Sequence, residues 1–136
     1  MNPTPTVPVR TLTELDHLRL TRLLERQPAA APALAEVLEH ADLLPSPQIA
    51  PDTVTMNSCV RVADPRTGAE RQLTLCYPAE ADPATGRLSV LSPAGAGLLG
   101  LRVGQRAAWC GPDGQPLAVD LRAIVYQPEA SGDLLR

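Results

Sequence analysis

Leucines spaced as on a helix fill residues 11–41, apolar residues alternate from residue 54 onward, and between them "LLPSPQIAPD" sets three prolines in ten positions. This change of period constrains the fold more than any other feature. A 3.6-residue repeat gathers apolar groups on one side of a helix, whereas a two-residue repeat gathers them on one face of a strand. Prolines fix φ and lack the N–H a helix needs, so this stretch suits a stiff connector. The boundaries follow: a helical unit over 11–43, a Pro-rich linker over 44–53 and a β domain over 54–127. Residues 1–10, rich in Pro and Thr, and the tail 128–136, without a strand pattern, are expected to be extended or frayed.

In the helical unit, Thr11 with Glu14 three positions on forms a capping box that satisfies two otherwise unpaired N–H groups. Leu12, Leu15, Leu18, Leu20, Leu23 and Leu24 follow over a wide arc, and the helix is expected to end by Gln27, before Pro28. Pro32 suits the first position of a second helix, where Leu34, Val37, Leu38 and Ala41 share one face. The short connection makes the two antiparallel neighbours, a hairpin reaching roughly 22 Å. Six leucines exceed what one short partner helix covers, so self-association through this hairpin belongs to the reading.

In the β domain, Met56, Ser58, Val60 and Val62 share one face of a first strand, and Leu73, Leu75 and Tyr77 one face of a second, joined by the turn "DPRTG". "RLSVL" reads as a third strand. Ser92 as N-cap and Pro93 at the next position announce a brief helix that Gly100 can close. "QRAAWC" and "PLAVDLRAIVYQ" form a second hairpin around "GPDG". The fold class is α+β: a helical hairpin, then about five antiparallel strands with one short helix.

Composition narrows function by exclusion. At 136 residues the chain supports one core, and with 2% aromatics and no Phe that core is aliphatic. A net charge of -3 without a basic run argues against direct, sequence-specific nucleic-acid binding. No stretch is apolar enough to span a membrane, and "MNPTPTVPVR" lacks a secretory signal's apolar run, so a cytoplasmic location is expected. Cys59, Cys76 and Cys110 stand singly and His17 and His40 lie apart from them, so no metal ligand, catalytic residue or cofactor site is assigned. Cys59 and Cys76 face each other across a hairpin, which permits a disulfide; free thiols are favoured in a reducing compartment. Trp109, Tyr77 and Tyr126 read as core residues, although a lone Trp also suits an interface. "GAGLLG" has no Lys after it and reads as small-residue helix packing.

"VTMNS", "YPAEADPATGRLSVLSPAGAGLLGLRVG" and "YQPEA", in this order, resemble the FKBP-like domain of the Gre transcript-cleavage factor superfamily and, within it, the branch called regulator of nucleoside diphosphate kinase (Rnk). The resemblance covers residues 11 to about 133. It implies an antiparallel coiled coil joined to an FKBP-like domain that docks on RNA polymerase at its secondary channel. It also implies that Leu91, Ser92 and Pro93 belong to the docking surface. Apart from the resemblance, Asp82 in "ADP" offers a carboxylate to a basic partner surface; capping and turn formation are the local readings of Ser92 and Asp82. The tip "RQPAAAPA" carries no carboxylate to hold the magnesium ion on which transcript cleavage depends in Gre factors. The expectation is a non-enzymatic transcription regulator that competes with Gre-type factors and affects nucleoside diphosphate kinase levels indirectly. Prolyl isomerase and transcript-cleavage factor are the alternatives.

Overall fold

The computed structural model describes residues 9–26 and 32–132. In chain order it contains β1 (Thr11–Thr13), α1 (Glu14–Arg26), α2 (Pro32–His40), β2 (Asp42–Leu44), β3 (Cys59–Ala63), β4 (Glu70–Cys76), β5 (Arg87–Ser89), α3 (Pro93–Leu98), β6 (Arg106–Cys110), β7 (Pro116–Tyr126) and α4 (Pro128–Ser131). The turn expected between the first two helices, and most of the tip "RQPAAAPA", fall outside the described residues.

The main sheet runs β5-β4-β3-β7-β6. Three of its pairings are antiparallel, but β5 runs parallel to β4, with Leu88 opposite Leu75. The expectation of antiparallel strands throughout fails there. Alternation reports which face a residue occupies, not which way its strand runs. Residues 77–86 use two 3-10 turns, Pro78–Glu80 and Pro83–Thr85, to carry the chain back before the strand begins.

The base of the helical unit also differs from expectation. Thr11–Thr13 is extended and pairs in parallel with Asp42–Leu44. The N-cap is therefore Thr13, whose hydroxyl accepts the Asp16 N–H at 3.0 Å; the capping box expected at Thr11 and Glu14 is displaced by two residues. Fully buried Leu12 supplies the reason, since an extended segment drives it into the core. In the first turn of α1, the His17 ring donates to the Leu38 carbonyl at 2.9 Å and joins α1 to α2.

One aliphatic cluster underlies both halves. Leu12, Leu20, Leu34 and Leu38 pack with Val54, Val60, Leu75 and Leu121, and full burial of such a side chain contributes about 1.5–3 kcal/mol. The expected linker is part of this body: Ile49 is buried, and the amide of Gln127 donates to the carbonyls of Ala50 and Thr53, both at 2.8 Å. Nor does the chain fray from 128 to 132, because Gln127 caps α4 and Pro128 is buried. The linker's place in this body depends on a distant partner, the Gln127 side chain, which local composition does not show, whereas α4 rests on the cap that Gln127 gives the Ala130 N–H.

Candidate functional site

The segment Ser89–Gly100 is built so that little in it can move. The Ser92 hydroxyl accepts the Gly95 N–H at 3.0 Å and donates to the Ser89 carbonyl at 2.6 Å. The Ser89 hydroxyl in turn accepts the Leu91 N–H at 3.1 Å. A Cβ on Gly95 would lie 2.1 Å from the Ser89 carbonyl oxygen, so only glycine lets α3 approach β5 this closely. Gly100 ends the helix in the left-handed region, φ +82°. Leu91 is half-buried against the core, and Pro93 is exposed at the head of the turn.

Asp82 stands at the other end of β5. Its carboxylate accepts the Ala84 N–H at 3.1 Å, and its backbone exchanges two hydrogen bonds with Arg87, both at 3.0 Å. It caps the 3-10 turn, and the structure does not gather it with Leu91, Ser92 and Pro93.

Pro93 borders a groove of about 850 Å3 between α2, α3 and the edge strand β6. Val37, Ala96, Gly97 and Trp109 make its apolar lining, and Glu36, His40 and Asp42 bring polar groups from α2 and β2. Trp109 is half-buried; its ring lies against α3, and a Cβ on Gly97 would sit 3.6 Å from Cε3. The ring is thus both core and groove wall. Sequence reasoning missed this groove because it joins segments far apart in the chain. Missed too was Arg10, whose guanidinium donates to the Ala96, Gly97 and Leu99 carbonyls at 2.9, 2.8 and 3.0 Å. It closes the carbonyl end of α3, as a cation suits a helix C-terminus.

A second, smaller depression of about 270 Å3 lies on the sheet between Cys59, Cys76, Arg87 and Tyr126. Cys59 is opposite Thr74, so Cys76 is a diagonal neighbour two positions on. At such an offset the two cysteines stand roughly 7–8 Å apart, at the limit of disulfide reach; both thiols are free. Burial raises the Cys76 thiol above its ordinary value. Among the described residues no group of three or more His, Cys, Asp or Glu could hold a metal ion, and no helix is long and apolar enough to cross a membrane.

Asp16, on α1, is buried, and its carboxylate accepts the Met56 N–H at 3.1 Å. Burial is the main reason its carboxyl is raised to about 6. The neighbouring Tyr77 phenol is pushed up to about 12, mainly by burial and further by Asp16.

Residues 49–126 match the family model described as transcription elongation factor GreA/GreB, C-terminal. The fold agrees: a GreA/GreB elongation factor from Nitrosomonas europaea superposes with a TM-score of 0.72 at 35% identity, covering 88% of this chain and all of that one. Over nearly its whole length the chain is also 40% identical to the regulator of nucleoside diphosphate kinase of Escherichia coli K12, covering 94% of this chain and 97% of that protein. A GreA from Flavobacterium johnsoniae is 40% identical over 81 residues, which span 60% of this chain and 51% of that protein. The chain belongs to the family of regulators of nucleoside diphosphate kinase, a branch of the GreA/GreB group.

Proposed function

We propose that the chain is a non-enzymatic bacterial transcription regulator that binds RNA polymerase near the secondary channel and competes there with Gre-type factors. On this reading the β domain is FKBP-like and holds the chain at the channel rim through Leu91, Ser92 and Pro93. The observation that carries it is the turn itself. Both hydrogen-bonding capacities of Ser92 used by its cap point inward, which leaves exposed Pro93, beside the Trp109 groove, as the group offered to a partner. Asp82 is the weaker candidate, since its carboxylate is engaged in its own turn.

In the same reading α1 and α2 act as a short coiled-coil prong. Thirteen residues of α1 extend about 20 Å, and the sequence between 26 and 33 has no carboxylate for magnesium. Obstruction of the entrance, without transcript cleavage, is the activity that follows, and any effect on nucleoside diphosphate kinase is indirect. Its place of work is the cytoplasm.

The prolyl isomerase alternative finds little support. Such a pocket needs clustered aromatics, yet the groove is walled by Trp109 and the smaller depression by Tyr126, with Tyr77 in neither. The test is a pull-down with core polymerase, using the wild type and Pro93→Asn with and without a Gre competitor. Retained binding by the variant removes the site, and no binding by the wild type removes the function. Stimulated scission of backtracked RNA removes the claim of no cleavage.

A further inference from the structure

Asp16 lies where the first turn of α1 meets the turn preceding β3, and only 4% of it is exposed. Its bond to the Met56 N–H spans 40 residues of sequence, so a single carboxyl ties the helix pair to the β domain at this point. A carboxylate removed from water needs compensating charge. Here the surroundings are mixed. Arg19, on the next turn of α1, favours the anion; Glu129, on α4, opposes it and is itself anchored by the Thr55 hydroxyl at 2.6 Å. The Tyr77 phenol, on the segment after β4, is held neutral. The hydrogen bonds from Met56 and Thr13 also favour the anion, and burial, the larger effect, outweighs them.

We propose that Asp16 is a proton-operated clasp: protonated, it holds the start of α1 against the turn at Met56; ionised, it lets that joint open more often. The β1–β2 ladder and the Arg10 contacts keep the base of the helix pair attached, so the opening is local to this joint. Opening returns the carboxyl to water, where it ionises near its ordinary 3.8, against about 6 when enclosed. By linkage the opening constant rises with pH between these values and levels off above, by up to about a hundredfold in all.

Amide hydrogen exchange on the full chain, corrected for intrinsic exchange rates, reads the clasp at Met56. The expected opening constant rises roughly twentyfold from pH 4.5 to 7 in the wild type and stays flat in Asp16→Asn. A flat wild-type profile, or a variant that tracks the wild type, overturns the proposal. Titration of the wild-type Asp16 carboxyl carbon by NMR decides the case even if the variant does not fold: a midpoint near 6 supports the clasp, and one in the ordinary carboxylate range sinks it. Both readouts use the free protein and are independent of polymerase binding.

Discussion

The Arg10 guanidinium donates to the Gly97 carbonyl at 2.8 Å, across 87 positions of sequence, and in doing so pins the chain ahead of β1 to the end of α3. Hydrogen bonds from a charged donor to buried carbonyls are among the stronger ones. Replacing Arg10 with Met keeps most of the stem's packing and leaves the carbonyls of Ala96, Gly97 and Leu99 without that donor. We expect a loss of about 1–3 kcal/mol, measured as a lower urea midpoint with an unchanged slope.

Two glycines on α3 are predicted to respond in opposite ways. Gly95→Ala drives a methyl group to 2.1 Å from a backbone oxygen, which neither α3 nor β5 can relieve by rotating a side chain. The cost is expected to exceed about 3 kcal/mol. Gly97→Ala meets Trp109 at 3.6 Å, an ordinary contact, and gains helix propensity. Its stability is expected to stay level or rise by up to about 1 kcal/mol. Thermal melts of the two variants separate these outcomes.

The enclosed Asp16 carboxyl also predicts the pH dependence of global stability. Its folded-state value, about 6, lies above the ordinary 3.8. The folded chain therefore binds the extra proton in that window, and this contribution is present at low pH and is lost as pH rises to about 6. It amounts to about 3 kcal/mol at most. Denaturation of the wild type and Asp16→Asn from pH 4 to 7.5 should show the variant gaining on the wild type up to about pH 6.5 and holding that gain above.

Removing the Gln127 side chain deprives Ala50 and Thr53 of their donor and the Ala130 N–H of its acceptor. Gln127→Ala is expected to cost about 1–3 kcal/mol. Hydrogen exchange should accelerate in both 50–53 and 128–131, though the two stretches lie far apart in sequence.

Features governed by neighbours in sequence were legible in the amino acids. Ser92, Pro93 and Gly100 mark the limits of α3 because capping and the left-handed turn depend on a few adjacent residues. The inward face of β3, with Val60 and Val62, follows from alternation, although the strand begins at Cys59 and not at 54. Val54 instead pairs with Gly100 and Leu101, and residues 55–58 form a turn, with Asn57 in the left-handed region at φ 66° and the Thr55 N–H bonded to the Ser58 hydroxyl. What sequence did not reveal depends on distant partners. Thr11–Thr13 needs Asp42–Leu44, and the groove needs α2 brought beside Trp109. Of the candidate site, Ser92 and Pro93 were visible through local capping, whereas Arg10 carried no local sign of its three carbonyl partners.

The intolerance of Gly95 for even one methyl group bears on recognition as well as on folding. A loop that must first be ordered by its partner gives up part of the interaction in doing so. Pro93 is mounted on a segment already bonded to the neighbouring strand, so in the docking proposed above the partner would meet it in its final pose. Variants that loosen this mounting should weaken association even when every residue that meets the partner is retained.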